Sequence, residues 1–375
     1  MASERGAPAV LHNAQILRFI AAFMVLFGHI QHEATEALFM QGRDYHPWSV
    51  VFLPGGVDIF FVLSGFIMLH LGHASFGQPA QAWRFMVRRV VRVAPMYWLF
   101  TSLMLLALLI FPAHVAHKDI EWSHALASYV FLPWENAHGK YYPVLILGWT
   151  LNFEMFFYAV MSLSMAFPRR VGLALLVGVL AVLGVGGAFK VEWPICLSPM
   201  NFWWNPIVLE FLMGVGIAAL RLRGVRLTAL QAWSLVAVAL CWMVGSHQWG
   251  LTGTHWLARP WWMGLPAALL VLSAVCLPET GALPAWKRWL SRGGDWSFAI
   301  YLSHPFSLTI AAMIWHRLGW SSLEGYVLTS LVAGILAGKW VHEWIEVPVT
   351  RWMRERVERL MRPEAKRVER QGVVT

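Results

Sequence analysis

The chain has 375 residues, of which 58% are hydrophobic and only 13% charged, and its mean hydropathy is +0.56. Soluble domains carry about 25% charge, so the composition excludes an ordinary soluble enzyme and predicts a polytopic membrane protein. The net charge of +9 belongs to membrane topology and is not a nucleic-acid signal.

Ten apolar stretches read as spans, near 14–32, 54–72, 93–112, 146–167, 171–189, 203–221, 229–247, 261–278, 296–315 and 325–346. Each is close to the length that a helix needs to cross a bilayer. The first is preceded by a polar segment and followed by no small-residue cleavage motif, so it reads as a helix and not a signal peptide. The fold class is therefore all-α, with about ten transmembrane helices. Residues 1–350 form the transmembrane domain and 351–375 a basic tail.

Basic residues set the orientation. Arg5 precedes span one, Arg84, Arg88, Arg89 and Arg92 lie between spans two and three, and Arg169 and Arg170 between four and five. Arg221, Arg223 and Arg226 lie between six and seven, and Lys287, Arg288 and Arg292 between eight and nine. Arg351, Arg354, Arg356, Arg359, Arg362, Lys366, Arg367 and Arg370 follow span ten. The other side carries only Arg43, Lys118, Lys140, Lys190, Arg259 and Arg317. Both termini are predicted to be cytoplasmic. The tail mixes charge with Trp352, Met353, Val357, Leu360 and Met361, a pattern of either a helix on the membrane surface or a solvated segment.

Span one holds Arg18 and His29. Eleven residues at about 100° each bring the two side chains to one face, about 16 Å apart along the axis. Ionisable groups at membrane depth are costly and mark function by default. On that face lie Ala14, Ala22 and Val25, which suit either a narrow channel or close helix packing. Arg18 is placed near the cytoplasmic face and His29 near the outer one.

Asp58 opens span two in GGVDIFFVLSG and reads either as a helix N-cap or as a substrate contact. Arg84, Arg88 and Arg92 recur every fourth residue, with Arg89 beside them. That spacing suits a phosphate ligand, although a positive-inside bias also accounts for basic loops. Span four begins WTLNFEMFFY and puts Glu154 in its outer half, at the predicted depth of His29. A histidine and a carboxylate at one depth can act as a base and its orienting partner. Thr150 and Tyr158 flank Glu154 on one helix face, and Trp149 and Tyr158 join Asp58 as predicted substrate contacts.

Glu210, placed deeper in span six, suits a polar network. His304, placed a third of the way in from the cytoplasm and followed by Pro305, reads as packing or site, with a kink expected at the proline. Cys241 and Cys276 lie in apolar runs and read as packing residues, and with Cys196 they form no disulfide or zinc pattern. The outer segment 113–145 carries Trp122, Trp134, His138, Tyr141 and Tyr142, which can stack on sugars or form an interfacial belt.

Seven segments together resemble the acyltransferase-3 family of integral membrane O-acyltransferases. They are LRFIAAFMVLFGH, GGVDIFFVLSGFIM, RRVVRVAPMYW, WTLNFEMFFY, EFLMGVGIA, GDWSFAIYLSHP and EVPVTR, in the family's order over residues 15–351. Spans one to four look most like the succinoglycan-type exopolysaccharide acetyltransferases. The resemblance implies an enzyme of the bacterial inner membrane that takes an acyl group, usually acetyl, from cytoplasmic acyl-CoA, with no metal. The acceptor would be a hydroxyl of an exported or lipid-linked glycan, with polysaccharide synthesis and export machinery as expected partners. The family's essential Arg and His fall on Arg18 and His29, and its basic motif on Arg88, Arg89 and Arg92. Some relatives carry an extracytoplasmic hydrolase-like domain; here a short basic tail stands instead, so an acyl relay to such a domain would need a partner.

The mechanism expected from these readings has Arg88, Arg89, Arg92 and Arg18 holding the donor. His29 is the general base, supported by Glu154. An acyl-histidine, or acyl transfer through Ser64 or Ser303, is the covalent alternative. The competing functions are a transporter of a small acid or lipid-linked sugar, and a non-catalytic subunit of a polysaccharide-synthesis complex.

Overall fold

The structure is a computed structural model. It describes residues 10–39, 55–110, 121–136, 139–189, 198–248, 259–279, 282–319 and 322–371, with the side chains at 36–39, 188, 198, 247 and 362–371 left aside. Arg5, Arg43, Lys118, His138, Lys190 and Cys196, and the side chains of Arg362, Lys366, Arg367 and Arg370, lie outside the described residues.

The described residues form helices and no strand. In chain order they are α1 His12–Phe39, α2 Gly55–Gly72, α3 Pro79–Ile110, α4 Trp122–Tyr129, α5 Gly148–Met165, α6 Arg169–Gly186 and α7 Ser198–Trp203. Then come α8 Val208–Leu222, α9 Ala229–Gln248, α10 Leu265–Cys276, α11 Ala285–Arg317, α12 Leu323–Val341 and α13 Val347–Gln371. Each of the ten predicted spans falls on one of these helices. Six of them, α1, α2, α3, α6, α9 and α11, are long and apolar enough to cross a membrane among the described residues. α5, α8, α10 and α12 coincide with the remaining predicted spans but are shorter or more polar.

Two element boundaries differ from expectation in a way that matters for the site. α3 begins at Pro79, well before the predicted span at 93. The arginines predicted for a loop therefore ride its first turns. Pro79 at the start fixes a helical φ where no amide donor is needed, and the Ala, Gln, Met and Arg that follow favour helix. α11 likewise begins at Ala285, eleven residues before the predicted 296, and runs on through Pro305. His304 is thus the twentieth residue of a 33-residue helix, and its ring stands beside that of His29, so the two are level and not at the separate depths expected.

α2 is the most enclosed of the candidate spans, and α1, α5, α8 and α10 surround it. Glycine permits the tightest of these crossings. A Cβ on Gly65 would lie 2.1 Å from the Phe211 carbonyl oxygen, and one on Gly214 would lie 2.0 Å from that of Val62. The two backbones touch, as small residues allow in membrane helices. At the α1–α11 crossing, a Cβ on Gly294 would come within 2.2 Å of the Gln15 carbonyl oxygen, which fixes α11 against the turn before Arg18.

A valine at 214 must push α8 off α2. Gly214→Val is therefore expected to abolish the monodisperse peak of the detergent-extracted protein. Gly216→Val, whose added Cβ meets nothing within 4 Å, is expected to leave it intact. Size-exclusion chromatography of the two variants checks this.

α6 and α9 are peripheral, with most of their residues outward. Cys276 packs in the core, whereas Cys241 is exposed on α9, because that face of α9 is turned away from the bundle. The tail is helical, and α12 passes into α13 through a π-turn at His342–Glu346. Trp352 and Leu360 on α13 are exposed.

Candidate active site

A cavity of about 330 Å³ lies beside α2 and follows it from Val57 to Leu71. By helix rise this is a run of about 21 Å. α1 contributes Leu11, Ala14, Gln15 and Arg18, α3 Arg89, Arg92 and Val93, α5 Thr150, Leu151, Glu154 and Tyr158, and α11 Ser297, Phe298 and Tyr301. The volume lies at the narrow end of ligand sites, about 300–1,000 Å³, and suits an elongated arm better than a whole nucleotide. Three guanidinium groups face one carboxylate in this lining, so the cavity favours an anionic ligand.

Arg18 donates Nη1–H to Gln15 Oε1 at 3.0 Å, and Gln15 Nε2 donates to Asp295 Oδ1 at 3.0 Å. The charges of Arg92, Glu346, Asp295 and Glu154 act on Arg18. Arg89 is deeply placed, and its Nε has no hydrogen-bond partner. Its guanidinium lies over the Phe85 ring at 5.2 Å. Arg89 and Arg92, three residues apart, share the face of α3 that looks into the cavity. Arg88 does not: it points away to α13, where its Nη2 is 3.9 Å from Glu358 in an exposed pair. The motif thus divides into two inward arginines and one outward arginine.

Glu154 Oε1 accepts hydrogen bonds from Tyr158 Oη and, at 3.3 Å, from Ser64 Oγ. The carboxylate belongs to the arginine cluster, where its charge acts on Arg18 and Arg89. The expected pairing of Glu154 with His29 is not made. Glu154 lines the cavity, whereas His29 does not and stands beside His304 instead.

The ring beside His29 is that of His304, with centroids 4.8 Å apart. The cavity stops short of this pair at Tyr301. The Tyr301 ring stands against His304 with centroids 6.2 Å apart. Its hydroxyl is 2.7 Å from Thr150 Oγ1 and donates to the Leu147 carbonyl at 2.9 Å. On the helix face of Arg18 and His29, Ala14, Ala22 and Val25 are all buried, and Ala14, one turn before Arg18, also borders the cavity. Close packing accounts for Ala22 and Val25. Ser64 lines the cavity, and Ser303 is buried with its Oγ unpartnered.

A second polar cluster forms where α2, α8 and α10 begin. Asp58 is wholly buried and receives Arg259 Nε at 2.9 Å and Nη2 at 3.0 Å. The paired contact takes up both carboxylate oxygens, so Asp58 is neither a free N-cap nor a cavity wall. Glu210 is also wholly buried, and both its oxygens lack a hydrogen-bond partner. Asp58 and Arg259 are its charged neighbours, and Gly264 leaves room for it. It sits level with this cluster, not deeper. Trp149 faces the Arg259 guanidinium at 5.9 Å and packs edge-on to Phe61. Tyr158 is with Glu154, so the three predicted substrate contacts fall in two places.

Trp122, Trp134 and Tyr142 are exposed. Tyr141 instead packs near Phe202, accepts from Asn201 and donates to Glu135 at 3.5 Å.

Sequence reasoning passed over Arg259 and Tyr301 and left His304 undecided. Arg259 had one signal, a lone charge on the side otherwise poor in arginine. Tyr301 and His304, at i and i+3 in AIYLSHP, share a helix face.

Comparison with known families matches residues 11–354 to the acyltransferase-3 family, described as an acyltransferase domain. Among curated proteins, the exopolysaccharide production protein ExoZ of Rhizobium meliloti (strain 1021) is 32% identical over 307 residues, covering 80% of this chain and 90% of that protein. No solved structure matches.

Proposed function

This chain belongs to the acyltransferase-3 family, and from that premise we propose that it moves an acetyl group from cytoplasmic acetyl-CoA to a glycan hydroxyl. The acceptor is an exported or lipid-linked polysaccharide such as an exopolysaccharide, and the setting is the bacterial inner membrane. The observation that carries the reading is the cavity itself. It is narrow and elongated, cationic around Arg18, Arg89 and Arg92, and closed by Tyr301 beside the His29–His304 pair. The exopolysaccharide role of the ExoZ relative supports the choice of acceptor.

The proposed topology has ten crossings with both termini cytoplasmic, supported by the one-sided distribution of basic residues. The arginines then stand at the cytoplasmic mouth and His29 toward the outer face. The donor phosphates meet Arg89 and Arg92, with Arg18 further in and Glu154 holding the cluster through Tyr158 and Ser64. Asp58, Trp149 and Arg259 shape the outer side on which the acceptor arrives. The pantetheine arm lies along α2. For its thioester to meet His29, Tyr301 exchanges its bond to Thr150 and gives way.

His29 removes the proton from the sugar hydroxyl as that oxygen attacks the thioester carbon. The carbon–sulfur bond breaks, the thiolate leaves as coenzyme A, and His29 returns the proton to it. A sugar ester remains. The direct test supplies radiolabelled acetyl-CoA to membranes with and without this protein. Alkali-releasable label in the glycan fraction is expected only where the protein is present. Label in neither preparation, with substrate uptake into proteoliposomes that needs no coenzyme A, would support a transporter instead.

A further inference from the structure

We propose that His304 is the positioning residue for His29, holding its imidazole in the tautomer that presents a bare nitrogen to the acceptor hydroxyl. This rests on the reading of His29 as general base. The observation is the juxtaposition of the two rings together with the bonding of His304. His304 is wholly buried. Its Nδ1 lies 3.2 Å from the Ile300 carbonyl oxygen. A carbonyl only accepts, so Nδ1 carries the hydrogen. Nε2 is then an unprotonated acceptor, and it has no hydrogen-bond partner among the described residues.

Pro305 supports this arrangement. It has no amide hydrogen to give to the Tyr301 carbonyl one turn back. The backbone beneath His304 is thus relieved of one helical bond, while its Nδ1 stays tied to the Ile300 carbonyl. A buried acceptor without a donor is costly, and the neighbouring donor-bearing ring is that of His29. In the reacting geometry one His29 nitrogen donates N–H to His304 Nε2. The other His29 nitrogen is then bare and free to take the sugar proton. The partner is neutral, so the pair stays buried without an unpaired charge. Fixing one ring nitrogen to define the role of the other is how histidine bases and ligands are generally oriented.

The test measures acetyl transfer from labelled acetyl-CoA to host exopolysaccharide stripped of its esters with mild alkali, using full-length protein in native membranes. His304→Phe keeps the ring volume and removes the acceptor. His304→Gln keeps an acceptor near the position of Nε2. His304→Phe is expected to lower kcat by about 10–100-fold, the usual loss when a histidine loses its orienting partner, with KM for acetyl-CoA unchanged. His304→Gln is expected to recover most of the loss. On a His29→Ala background, His304→Phe is expected to cost less than about twofold more, because the two act as one unit.

A wild-type kcat in His304→Phe would overturn the proposal. So would an equal loss in His304→Gln at equal folded abundance, which marks a packing role, or a full further loss on the His29→Ala background. If His29→Ala itself keeps wild-type transfer, the base assignment falls and this proposal with it. That outcome is distinct from one in which His29 is needed and His304 is not.

Discussion

His29→Ala is expected to lower acetyl transfer by about 10²–10⁴-fold, the usual contribution of a positioned general base, while KM for acetyl-CoA stays within about twofold. The separation follows from the geometry. His29 is beyond the end of the cavity that Tyr301 closes, paired with His304. On the proposed mechanism it acts on the acceptor hydroxyl and not on donor binding. An effect confined to kcat is the signature of an interaction made only in the transition state. The alanine removes a half-buried ring that has no hydrogen bond to lose, so the variant is expected to fold. Steady-state kinetics on membranes of matched protein content check the prediction. A raised KM at normal kcat would place His29 in the donor site.

The second large effect falls on donor affinity. Replacing Arg89 and Arg92 together with glutamine is expected to raise KM for acetyl-CoA by about 10²–10⁴-fold. Each lost charge-assisted contact to phosphate is worth about 1.5–3 kcal/mol, and tenfold corresponds to about 1.4 kcal/mol. Arg88→Gln is expected to change KM by less than about threefold. Its guanidinium is 57% exposed and turned to Glu358 on α13, and exposed pairs are worth about 0–1 kcal/mol. The contrast between adjacent arginines is what the structure adds to the motif. Titrating acetyl-CoA against the wild type and these two variants checks it, and equal effects of the Arg88 substitution and the Arg89/Arg92 double substitution would remove the phosphate assignment.

The helical bundle was legible because membrane crossing imposes one strong constraint: a long apolar run with few charges. Every predicted span overlies a helix for that reason. The ends were less legible. α3 and α11 both extend well beyond their apolar runs, since Arg, Gln, Trp and Ala continue a helix in water as readily as Leu does in lipid. The α3 extension carries Arg89 onto a helix face, and the packing of α1 on α11 sets His304 beside His29. Relative depth was therefore the property that sequence counting misjudged. Glu154 was assigned to His29 from residue counts, and the structure gives it to Ser64, Tyr158 and the arginines. The pairing of Asp58 with Arg259 joins residues 201 positions apart, and no local pattern encodes it. Arg18 was legible as a charge inside an apolar run, and Arg92 through its four-residue spacing with Arg84 and Arg88.

The central claim is that an acyl group enters at the arginine-lined mouth and leaves on a sugar at the other side. The most direct measurement uses sealed membrane vesicles of defined orientation, with labelled acetyl-CoA confined to one face. Label is expected in alkali-labile esters of the glycan on the opposite face when the donor meets the face carrying both termini, and not when it is supplied from the other side. Transfer only from the outer face, or equal transfer from both, would contradict the account.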